Sequence, residues 1–115
     1  MSIDPWLPDA GDLIWTDFDP TKGREQSGRR PAVVVLSRVF TAMTGLAVVC
    51  PITSRVRPFP TSVVLPSGLP VSGEVLTSAI RSIDTLARPI IDAGASIGPS
   101  LADEVRVRLA AFITI

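Results

Sequence analysis

Arg30 stands immediately before Pro31, and Thr53 follows the apolar run that holds Cys50, Pro51 and Ile52. A guanidinium stays cationic and offers a planar fork of donors that matches phosphate oxygens. Pro31 biases Arg30 toward extended backbone, so the fork is aimed from a defined position. The threonine hydroxyl can donate to the same anion, and its β-branch restricts the side chain to few rotamers. A cation and a hydroxyl so arranged suit the stabilisation of charge that develops on an oxyanion during reaction.

The charges around these residues support an anionic target held in one groove. The 115-residue chain balances 11 basic against 11 acidic residues, which removes any bulk attraction for polyanions. Along the chain the signs are segregated: residues 1–21 carry Asp4, Asp9, Asp12, Asp17 and Asp19 with no base. Residues 22–57 carry Lys22, Arg24, Arg29, Arg30, Arg38, Arg55 and Arg57 against Glu25 alone. A locally basic surface on a neutral protein fits a small anionic target. Glu25 can act as a proton acceptor or pair with Arg24 or Arg29. The chain contains no histidine, so Ser-His-Asp triads and zinc-type sites are excluded, and no cofactor or metal is expected. The one cysteine, Cys50, rules out an internal disulfide framework and fits a reducing cytoplasm; inside an apolar run it reads as buried and inert.

The elements that must position these residues are short. With 46% hydrophobic and 19% charged residues, the chain is composed for one folded domain spanning residues 1–115. No apolar run approaches the ~18 to 20 residues of a membrane span, and no signal peptide opens the chain, so a soluble, unexported protein is expected. Asp12 to Phe18 alternates and reads as a strand, with Trp15 directed at the core. Residues 21–31 form an exposed loop. Ala32 to Leu36 and Leu46 to Ile52 read as buried strands, with Pro51 at an edge or bulge. A second loop runs from Arg55 to Ser62. Further strands are expected at Val63 to Leu65, Glu74 to Thr77 and Ile80 to Ile83. Pro99-Ser100 with Asp103 and Glu104 marks a helix start capped by a side chain, and Leu101, Val105, Leu109, Phe112 and Ile113 recur at helical spacing. That stripe should pack on a small, partly open antiparallel barrel.

Three segments in this order resemble the MazF/PemK family of toxin endoribonucleases: Gly11-Asp12-Leu13-Ile14-Trp15 through Asp19-Pro20-Thr21-Lys22-Gly23, Glu25-Gln26-Ser27-Gly28-Arg29-Arg30-Pro31, and Cys50-Pro51-Ile52-Thr53-Ser54. The similarity extends through Ile80-Arg81-Ser82-Ile83-Asp84 to the final helix. It implies an SH3-like barrel, mainly β with a C-terminal helix, that forms a homodimer. It also implies metal-independent cleavage of single-stranded RNA to 2′,3′-cyclic phosphate and 5′-hydroxyl ends, and inhibition by a cognate antitoxin. Under the resemblance Arg30 and Thr53 match the catalytic arginine and threonine, and Arg29 contacts RNA. Lys22, Arg24, Arg55, Arg57 and Arg81 complete the expected RNA-binding set, and each phosphate contact should weaken with salt. Phe59, between two prolines, can stack on an unpaired base or anchor its loop.

The sequence departs from the family pattern at Ser78-Ala79, where Asp-Gln is frequent. Relatives that pair an arginine with that aspartate for acid-base work have them at positions that here are Leu76 and Ser78. That mechanism is closed to this chain, which leaves the Arg30 and Thr53 scheme. A non-enzymatic toxin of the gyrase-poisoning kind, or a homologue that binds without cutting, is the alternative. A phosphate clamp beside a groove favours the nuclease.

Overall fold

The computed structural model describes residues 6–18 and 29–113, the Phe112 side chain excepted. Among these, seven strands make one antiparallel sheet: β1 (Asp12–Thr16), β2 (Arg30–Val34), β3 (Leu46–Thr53), β4 (Val63–Val64), β5 (Glu74–Val75), β6 (Arg81–Asp84) and β7 (Ile90–Ser96). The order is β4-β5-β3-β2-β1-β7, with β6 also paired to β3. Helix α1 (Arg38–Thr44) links β2 to β3, and α2 (Gly98–Phe112) ends the described chain. The mainly-β architecture with its closing helix is as expected. The sheet stays open rather than closing into a barrel, since its outer strands β4 and β7 each pair with one neighbour.

Strands β1 to β3 are nearly continuously apolar because both faces of the sheet are covered. One face carries Leu13, Val33, Cys50 and Ile52, packed with Val63, Leu65, Val71 and Val75. Helix α2 lies on this cluster through Leu101, Ala102, Val105 and Leu109. Alternate positions Ile14, Ala32, Val34, Ala47, Val49 and Ile83 fill the other face with Phe18. Each of the Val, Leu, Ile and Phe side chains among them contributes roughly 1.5–3 kcal/mol by leaving water. No described helix is long and apolar enough to cross a membrane.

Pro51 is explained by the ladder. Strand β3 pairs with β6 up to Val49↔Arg81 and with β5 from Ile52↔Val75. Its missing N–H falls in the gap between those two partners, while its carbonyl still accepts from Leu76 N at 2.8 Å.

Several local expectations are corrected. Helix α1 fills a stretch with no strand pattern: Ser37 caps its start by accepting from Phe40 N, and Gly45 ends it at φ +77°. Strand β7 is added along β1, unforeseen because Asp92 and Gly94 interrupt its pattern. Thr77 leaves the expected strand for a 3-10 turn, Thr77–Ala79, its hydroxyl bonded to the Thr61 carbonyl. Helix α2 begins at Gly98 without a side-chain cap, so Ser100 lies inside it. The stripe faces the core at Val105, whereas Ile113, just past the end of α2, is exposed.

Candidate functional site

Arg30 opens β2 and Thr53 closes β3, so both lie where strands run out into loops. The β2–β3 register is set by Val34↔Val49, Val33↔Cys50 and Ala32↔Pro51. Carried two residues further, it places Arg30 across from Thr53 on one face of the sheet. On its other side Arg30 pairs with Thr16 of β1. Its side chain is exposed, so the cation reaches solvent from a backbone fixed by the ladder.

A groove of about 420 Å³ opens at this end of the sheet, lined by Trp15, Arg29, Arg30, Ile52, Ser54 and the Pro70–Ser72 segment among others. Thr53 follows Ile52 in β3, so strand alternation turns its half-buried side chain to the opposite face. Its Oγ1 accepts the Arg55 amide at 3.1 Å. That bond uses the oxygen as an acceptor and leaves the hydroxyl hydrogen available to donate to an anion.

Gly73 brings the wall close to this residue. Its φ is +132°, and a Cβ there would overlap the Thr53 carbonyl oxygen. Only glycine combines that backbone angle with that approach. Behind the site, Glu74 pairs with Thr53 in the β3–β5 ladder and is 1% exposed. Its carboxylate accepts the Ser62 hydroxyl and the Arg57 amide, the latter at 2.7 Å. These bonds, Ser62 first, hold its carboxyl below the usual range against the opposing pull of burial.

The site residues expected from sequence divide into three groups. Arg29 and Arg30 line the groove, and Thr53 is not among its lining residues. Arg55 and Arg57 are exposed on the adjoining loop, outside the lining. Arg81 stands apart, its guanidinium 5.2 Å from the centre of the Phe18 ring. Lys22, Arg24 and Glu25 lie outside the described residues. Among the described residues the ion pairs are Arg38–Asp9 and Arg106–Asp103, and neither uses a groove cation.

Other features were missed or left open. Trp15 packs against the core as expected but also walls the groove, because an indole is large enough to do both. Phe59 is 65% exposed, which excludes the reading as an apolar anchor. Glu74 looked like an ordinary strand residue; Gly just before it was the one signal of a tight approach. Cys50 is fully buried and its thiol is pushed up to about 12, as its apolar setting implied. Ser78 and Ala79 are exposed on the 3-10 turn.

Comparison with known proteins gives concordant results. The pattern described as "PemK-like, MazF-like toxin of type II toxin-antitoxin system" matches residues 9–113. The endoribonuclease toxin MazF of Escherichia coli K12 is 44% identical over 86 residues, 75% of this chain and 77% of that protein. Endoribonuclease PemK of Escherichia coli is 35% identical over 70% of this chain and 63% of its own length. Among solved structures, MazF of Deinococcus radiodurans superposes with a TM-score of 0.85 at 40% identity, covering 96% of this chain and 100% of that one. A MazE-MazF complex from the same organism gives 0.83 at 36% identity, covering 96% and 99%.

Proposed function

Because the chain belongs to the PemK-like, MazF-like toxin family of type II toxin-antitoxin systems, we propose that it is an endoribonuclease that cuts single-stranded RNA at the sheet end that carries Arg30 and Thr53. What supports this reading is the β2–β3 register, which, extended to the strand ends, sets the exposed Arg30 opposite Thr53, a hydroxyl with a donatable hydrogen.

In the reaction the ribose 2′-oxygen attacks the adjacent phosphorus and the bond to the 5′-oxygen breaks. The products are a 2′,3′-cyclic phosphate and a 5′-hydroxyl. Arg30 stabilises the charge that builds on the non-bridging oxygens, and Thr53 donates to the same group. Neither residue suits removal of the 2′-proton, since arginine stays protonated. Glu25 is the candidate for that step, and the proton it takes is returned, directly or through solvent, to the departing 5′-oxygen. Arg29, Arg55 and Arg57 hold the flanking phosphates, and Lys22, Arg24 and Arg81 extend the cationic surface. The named relatives are endoribonucleases, which favours cleavage over a non-enzymatic poison.

The partner follows from the same surface and from the complexes formed by relatives. A cognate antitoxin with an acidic segment that orders on binding would compete with RNA for these cations. The toxin acts as a homodimer, measurable by light scattering.

Arg30→Ala should lower cleavage of an unstructured RNA by at least about 100-fold in the presence of chelator, since one oxyanion donor is worth ~2.7–4 kcal/mol. Its thermal midpoint should not move, because the side chain is exposed. Retained cleavage would reject the assignment.

A further inference from the structure

Among the described residues, Glu74 is a fully buried carboxylate that the proposed reaction does not use. Burying a charge is costly unless it is paired or hydrogen-bonded, so its bonds indicate what it is for. All of them go to one loop. Oε1 accepts the Arg57 amide at 2.7 Å, and Oε2 accepts the Ser62 hydroxyl. Ser62 in turn receives the Phe59 amide at 3.2 Å, and its carbonyl takes Arg108 Nε at 3.0 Å. The loop is therefore fixed from inside, and its outer side presents Arg55, Arg57 and the Phe59 ring to solvent. Pro58 and Pro60 stiffen the backbone on either side of that ring.

We propose that Glu74 is a positioning residue that holds the 54–62 loop in the shape that receives the RNA strand beyond the scissile linkage, with cations for phosphates and an aromatic face for an unpaired base. This rests on the nuclease reading above. An unclamped loop would have to order itself on binding, and that entropy cost would weaken affinity rather than slow the bond-breaking step. Arg30 is held by the β1–β2 ladder and Thr53 by its backbone pairing with residue 74, which alanine keeps, so the chemistry should survive loss of the clamp.

The test compares two RNAs cut at the same linkage, one extended on both sides and one trimmed to the nucleotides bordering it. For Glu74→Ala, KM on the extended RNA should rise about 10- to 100-fold, as loss of hydrogen bonds to a charged group implies. Turnover should stay within about twofold, and the trimmed RNA should be cut as by wild type. Glu74→Gln should recover much of the loss, because its amide oxygen can still accept the Arg57 N–H. Trypsin should nick Arg55-Val56 faster in the alanine variant. An equal loss on both RNAs, or a fall in turnover at constant KM, would overturn the proposal. If Glu74→Ala does not fold, Ser62→Ala provides the same comparison with one bond removed. A wild-type protein that cuts neither RNA rejects the nuclease reading instead. Unchanged trypsin nicking then rejects the clamp as well.

Discussion

Two loops flank Thr53, and they are held in place by opposite means. The 54–62 loop is tied by polar bonds to the Glu74 carboxylate and the Arg108 guanidinium, with its apolar ring turned outward. The 66–73 loop is held by shape: Val71 is buried in the core and Gly73 sits against the Thr53 carbonyl. Hydrogen bonds to a charge can be weakened in steps, by substitution or by proton. Steric contact at close range has no intermediate setting. Thr53 thus has one flanking loop that can be adjusted and one that can only be kept or lost.

The largest effect should come from the steric side. Gly73→Ala places a methyl group into the Thr53 carbonyl at a strained φ, and we expect a loss of roughly 3 kcal/mol in denaturant unfolding with cleavage falling in parallel. A variant as stable and active as wild type would remove the contrast. Val71→Ala should cost less, roughly 2 kcal/mol, because it deletes buried methyl groups without forcing backbone apart.

The polar side should show itself through pH. Ser62 and Arg57 hold the Glu74 carboxyl below its usual value, so the unfolded chain binds the proton more readily than the folded one. Stabilisation from this group is complete above the unfolded carboxylate value, near roughly pH 4.3, and disappears as pH falls through the lower folded value. The difference in thermal midpoint between wild type and Glu74→Gln should therefore be greatest near neutrality and close in acid. A difference that persists unchanged to pH 3 would assign the effect to shape instead.

Sequence made Arg30 and Thr53 visible and concealed the carboxylate that holds the neighbouring loop. Arg30 beside Pro31 and Thr53 after an apolar run could be read directly, because their chemistry is local and their strands alternate or run apolar. The framework of β1 to β3 and the burial of Cys50 followed from the same pattern. Glu74 could not be read this way: its importance comes from partners 12 and 17 residues away that only folding brings near. Trp15 was half-legible, since alternation gives the face but not how far an indole reaches. Strand β7 and helix α1 escaped because one is interrupted by Asp92 and Gly94 and the other is only one short helix of 7 residues.

The position of Cys50 has a practical use. As the chain's one thiol, fully enclosed between the central strands and reluctant to ionise, it is shielded from alkylating reagents while the sheet is intact. The rate at which iodoacetamide adds a single mass increment would then count excursions of the sheet's centre, giving a one-site alkylation clock for how often the toxin opens and how far a bound antitoxin slows it.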